Sequence, residues 1–192
     1  MKNFLLYFTT IVLFLLFSCT KAIKHTDEIS LIIAEWVGKE IHFPSNVPCY
    51  FWGKNEKDTT FSLCAYSFQN QYKVLMFVDS SGCSDCRLQL LEWKHLITES
   101  NKRFHEKLKF LFYIQPKDIN EILYLINRDR FNYPVFLDLD GKITQLNHFS
   151  SNTVYQCFLL DKHNKVLAIG NPVLNPKIWE LYKDIIVKDK KE

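Results

Sequence analysis

Glycine is scarce in this chain, with five in 192 residues. That leaves no room for glycine-rich phosphate loops or a collagen-like repeat. Charge of one sign is also lacking. The formal net charge is only +3, no basic stripe stands out, and nucleic acid is not an expected partner. The KDKKE end, residues 188–192, reads as a solvated charged tail. No internal repeat and no low-complexity linker interrupts the text. A second CxxC is missing as well, so a zinc site built from paired CxxC motifs is excluded. What remains is globular: 47% hydrophobic, 23% charged and rich in phenylalanine and tyrosine, enough for one domain with a core.

The first residues stand apart. Lys2 is followed by an uncharged apolar run from Phe4 to Phe17, short for a membrane span and suited to the hydrophobic region of an export signal. It ends in Leu16-Phe17-Ser18-Cys19, which resembles a bacterial lipoprotein processing site. By that resemblance residues 1–18 are a signal peptide, Cys19 is lipidated, and the folded part is anchored to the membrane, facing the periplasm. Residues 19–35 are expected to be a tether. Export permits disulfides, which makes the remaining Cys49, Cys64, Cys83, Cys86 and Cys157 chemically relevant. Their number is odd, so at least one thiol stays free or pairs only transiently.

Residues 36–68 mix short aromatic and β-branched runs with Pro44, Pro48 and Gly53, the pattern of a β-rich edge. The text then alternates. YKVLMFVD (72–79) and KFLFYIQ (109–115) are continuous apolar runs of strand length, expected to be buried on both faces. RLQLLEWKHLI offers Leu88, Leu91, Trp93, Leu96 and Ile97 to a helix, and KDINEILYLINRDR (117–130) places Ile119, Ile122, Leu123 and Ile126 on one helical face. YPVFLDLDGKITQL (133–146) reads as a strand, an Asp140-Gly141 turn and a further extended segment. CFLLDKHNKVLAIG (157–170) reads as a hairpin. A last helix is expected over 175–186, with Asn175 as N-cap, Pro176 at the first helical position and a stripe of Ile178, Leu181, Tyr182 and Ile185. The sum is an α/β domain over 36–187, a mixed sheet flanked by helices.

Within it, Cys83-Ser84-Asp85-Cys86 falls between a buried strand and a helix. The thiolate is the reactive form of cysteine, and a helix start stabilises it through unpaired N–H groups and the helix dipole. A structural disulfide across so short a loop gains little stability. Two sulfurs are half a tetrahedral zinc site, which Cys157 with His148 or His163 would have to complete, so neither metal nor organic cofactor is expected. Asp79 is a candidate proton acceptor or loop cap. Cys49 and Cys64 form a structural disulfide or remain two buried thiols; sequence leaves that open. The four tryptophans suit packing.

CSDC after a buried strand, YPVFLDLDGK and above all FLLDKHNKVLAIG resemble the thioredoxin-like superfamily, and within it the exported thiol–disulfide oxidoreductases of the TlpA/ResA type. The resemblance spans roughly residues 36–187. It implies a thioredoxin-like mixed sheet with an N-terminal β-rich extension, Cys83 as attacking and Cys86 as resolving cysteine, envelope proteins with thiols or disulfides as substrates, and a thiol partner that resets the couple. Two departures stand out. Gly82 precedes the pair where the family often has tryptophan, and Ser84-Asp85 replace Gly-Pro. The family also sets a cis-proline immediately before the FLLD-type strand. Here that place falls in Val154-Tyr155-Gln156, leaving Tyr155 and Cys157 as candidate accessory residues, with Pro134 a rival in another register. The family's cis-proline is thought to keep metals off the CxxC sulfurs. Its loss supports a second reading, a thioredoxin-fold lipoprotein that binds a partner or metal with little redox turnover. A peroxidase is disfavoured, because DSSG lacks the proline- and threonine-bearing loop that peroxide reduction requires.

Overall fold

The computed structural model describes residues 29–45, 47–50, 52, 62–63, 72–81, 88–104, 107–150 and 152–188. The chain divides after Val37 into two units. In the first, residues 29–36 are helical (α1), and the Val37 N–H donates to the Ile33 carbonyl at 2.9 Å. The last residues of the expected tether therefore form a helix, in a stretch where Leu31, Ala34 and Glu35 favour one.

The second unit is built on a seven-stranded mixed sheet of order β2-β1-β5-β4-β3-β6-β7. The strands are β1 Pro48–Tyr50, β2 Ser62–Leu63, β3 Tyr72–Val78, β4 Leu108–Ile114, β5 Val135–Leu137, β6 Cys157–Leu160 and β7 Val166–Ile169. The helices of this unit are α2 Leu90–Phe104, α3 Ile119–Arg128, α4 Lys142–Asn147 and α5 Pro176–Lys188. β3, β4 and β5 run parallel, each crossover passing through a helix. β6 then returns to the opposite edge of β3, antiparallel, and forms the expected hairpin with β7. Within the expected β-rich extension, β1 and β2 pair with each other and join the sheet beyond β5.

Strand alternation sorts the core into two layers. Val74, Met76, Phe110, Phe112, Cys157 and Leu159 share one cluster with Trp93 of α2, Ile126 of α3 and Tyr182 of α5. On the alternate positions Phe149 stacks between Phe77 and Phe158, with ring centroids 4.9 Å and 5.5 Å away. Tyr113 stacks on Phe136 at 4.6 Å. β3 is apolar throughout because both its faces are covered. Lys73 is its exception and is itself buried; its Nζ donates to the Asp161 and Lys162 carbonyls in the β6–β7 turn, each at 3.2 Å. Burial lowers its pKa, against the opposing charge of Asp161.

Two details differ from the pattern read in the sequence. The segment after the Asp140-Gly141 turn is not extended but is the short helix α4. Its cause is Asp138, buried, whose carboxylate accepts from the Lys142 N–H at 2.9 Å and the Ile143 N–H at 2.8 Å. Those are donors a helix start leaves unmet. In α5 the buried stripe is Trp179, Tyr182, Lys183 and Ile186, one position on from the expected set, and Leu181 is exposed. Trp179 sets this rotation: its indole N–H donates to Glu99 Oε1 at 2.9 Å and its ring meets Phe104 edge-on. Asn175 caps α5 as expected, accepting from the Lys177 N–H at 3.0 Å.

Asp138→Ala removes two charge-assisted bonds to buried or half-buried N–H groups. It should lower unfolding stability by about 3 kcal/mol, read as a shift in the urea midpoint at unchanged slope.

Candidate functional site

The segment 82–87, with Cys83 and Cys86, lies outside the described residues, as do Cys19 and Cys64. The described chain on either side of this segment is well placed to position it. β3 ends at Val78, Asp79 follows, and Ser81 is the last described residue before the segment. After it, Leu88 is helical, Gln89 adopts a left-handed φ of 42°, and α2 continues from Leu90. Leu88 and Leu90 are both buried, which holds this entry against the sheet, while Leu91, expected on the inner face, is exposed.

Asp79 is the hub of the strand exit. Its Oδ1 accepts from the Ser81 N–H at 2.9 Å and from the Ser81 hydroxyl at 2.5 Å, and its Oδ2 accepts from Gln156 Nε2 at 2.8 Å. Gln156 stands immediately before β6. It is 1% exposed, its second amide hydrogen goes to the Ser150 carbonyl at 2.9 Å, and its own carbonyl accepts from the Phe77 N–H at 2.9 Å. A buried side-chain amide is tolerated only when its donors are met, and here they are. This contact escapes sequence reading, because nothing local links residues 79, 150 and 156. The one available signal is a long polar side chain directly ahead of an apolar strand.

β6, which carries the Phe158-Leu159-Leu160 part of FLLD, is the strand antiparallel to β3, while Pro134 precedes β5, on the far side of β4. The position that faces the exit of β3 is therefore Gln156, in the register set by FLLD. Tyr155 ends a 3-10 turn, Thr153–Tyr155, and is largely buried.

Cys157 pairs with Met76 in the β3–β6 ladder and is wholly buried as a free thiol. Burial pushes its pKa well above the ordinary thiol range, only partly offset by hydrogen bonding with Tyr182 and the Phe158 backbone. His148 and His163 are exposed, so they do not join this interior sulfur in a metal site. Among the described residues no group of histidine, cysteine, aspartate and glutamate could hold a metal ion. Cys49 is disulfide-bonded and buried on β1; its partner lies outside the described residues.

No family model and no curated protein matches the chain. Solved structures do. Plasmodium vivax 2-Cys peroxiredoxin in its reduced form superimposes with a TM-score of 0.59 at 14% identity, over 81% of this chain and 84% of that one. Mycobacterium tuberculosis AhpC gives 0.56 at 12% identity, over 78% and 97%. A thioredoxin-like protein in the oxidised form gives 0.51 at 12%, over 78% and 96%. The fold is thioredoxin-like. At these identities the likeness is one of fold, and chemistry has to be argued from this chain's own residues. In the thioredoxin-like frame the CSDC segment joins the central strand β3 to α2.

Because its thiol is buried and held protonated, Cys157 in the native protein should react with iodoacetamide at pH 8 at least ~100-fold more slowly than a free thiol. It should gain normal reactivity in denaturant, as peptide mass spectrometry would show.

Proposed function

We propose that the protein is a membrane-tethered thiol–disulfide oxidoreductase of the cell envelope that acts through Cys83 and Cys86. The observation carrying this reading is the placement of the described residues around the pair: the exit of a central strand on one side and a buried helix entry on the other. A dithiol between such elements is suited to exchange, since the strand fixes its position and helix N–H groups favour a thiolate. Cys83 thiolate attacks one sulfur of a substrate disulfide, forms a mixed disulfide and expels the first substrate thiolate. Cys86 then attacks Cys83 sulfur, releases the second substrate thiol and leaves the Cys83–Cys86 disulfide. The substrate gains two electrons, and a thiol partner must return them to the couple. Run in reverse, the same steps oxidise a dithiol. Envelope proteins with thiols or disulfides are the proposed substrates.

The remaining cysteines take separate roles in this reading. Cys19 carries the lipid that anchors the domain, an assignment resting on the Ser18-Cys19 processing pattern. Among the described residues no helix is long and apolar enough to cross a membrane. Cys64 is the proposed partner of the disulfide-bonded Cys49. β2 pairs with β1 so that Ser62 faces Cys49 and Leu63 faces Pro48, and Cys64 follows β2 directly in the sequence. That bridge would pin the edge of the sheet away from the exchanging pair.

Equilibrating the full chain across glutathione redox buffers, followed by alkylation and peptide mass spectrometry, tests both assignments. Cys83 and Cys86 should titrate as one reversible two-electron couple within about −120 to −270 mV, while Cys49–Cys64 stays oxidised throughout. A pair that stays reduced at every poise, or copurifies with a bound metal, would replace exchange with the binding-protein reading.

A further inference from the structure

Gln156 occupies the place before β6 where a proline would leave the chain without a side-chain donor. Its amide nitrogen uses both hydrogens, one on Asp79 and one on the Ser150 carbonyl, at 2.8 Å and 2.9 Å. Its backbone carbonyl receives the Phe77 N–H. The residue thus grips the chain at the end of β3 and just beyond it, at Phe77 and Asp79, and ties both to the loop ahead of β6. Burial makes the grip consequential. A hydrogen bond to an ionised group is stronger than one between neutral groups, and a buried donor or acceptor left unmet is destabilising. Asp79 in turn directs Ser81 through two further bonds, and Ser81 stands two residues before Cys83 in the chain.

We infer that Gln156 is a positioning residue for the dithiol. Through Asp79, it fixes where the chain leaves β3 for the CSDC segment and where the Asp79 charge sits relative to the pair. The inference rests on the proposed exchange function and adds to it the residue that tunes the couple. Thiolate stability depends on nearby charge, so releasing Asp79 alters the balance between dithiol and disulfide. A purely structural Gln156 would affect folding stability alone.

The test is a double-mutant cycle on the full chain in detergent: wild type, Gln156→Met, Asp79→Ala and the double variant. Methionine keeps the length of the side chain and removes its donors. The readout is the equilibrium constant of the Cys83–Cys86 couple against glutathione, with thermal unfolding of each variant recorded alongside. Gln156→Met should change the constant about tenfold, which is ~30 mV for a two-electron couple. In the Asp79→Ala background the same substitution should change it by less than about twofold. Should Gln156→Met not fold, Gln156→Glu sets a second carboxylate against Asp79, and the same dependence on Asp79 is expected. A Gln156 variant that matches wild type within about twofold, or an equal shift with and without Asp79, overturns the inference. A wild-type chain without any reversible couple instead overturns the proposed function, and this inference with it.

Discussion

The double pairing of β3 is the constraint on which the rest of the structure depends. One edge is bonded to β4 in parallel from Tyr72 to Val78, the other to β6 antiparallel from Lys73 to Met76. A strand held on both edges and covered on both faces must be apolar, and apart from Lys73 its buried residues are. The opposed directions of β4 and β6 matter most at one end. There the chain leaving β3 meets the chain entering β6, so Asp79 and Gln156 become neighbours despite their separation in sequence. The CSDC segment is attached at that junction.

Buried polar groups hold this frame in place through specific side-chain bonds. Lys73 pins the β6–β7 turn to the start of β3, Asp138 starts α4, and Gln156 joins the exit of β3 to the entry of β6. Asn147 closes a fourth link, its side chain bonding both the N–H and the carbonyl of His42 at 2.8 Å. Satisfied networks of this kind specify one arrangement, because each alternative register leaves a buried group unmet. Gln156 shapes the loop ahead of β6 through side-chain bonds to the Asp79 carboxylate and the Ser150 carbonyl.

Much of the frame was legible in the sequence wherever local pattern and tertiary role agree. YKVLMFVD and KFLFYIQ form the strands their unbroken apolar runs call for, and FLLDKHNKVLAIG forms its hairpin, closed by Asp161 accepting from the N–H groups of His163 and Lys165. The misread parts are those that the apolar pattern does not encode. α4 depends on a carboxylate that precedes its first turn, and the inner face of α5 is set by Trp179 meeting α2. Apolar period alone left neighbouring faces of that helix equivalent, with Ile178 and Ile185 as good a choice as Ile186. That Gln156 and not a proline stands before β6 was readable, but its bridge to Asp79 was not. The bridge exists only once β6 lies beside β3.

The central claim is that Cys83 attacks and Cys86 resolves, and the most direct measurement follows each sulfur through one turnover. Reduced full-length protein is mixed with a chromogenic aromatic disulfide, and released thiolate is recorded alongside peptide mass spectrometry. Wild type should release a second equivalent promptly after the first and end with Cys83 joined to Cys86. Cys86→Ser should stop after the first, as a mixed disulfide on Cys83, and Cys83→Ser should lose the fast reaction. Fast release that survives Cys83→Ser, or mixed disulfides that settle on Cys86 instead, would contradict the account.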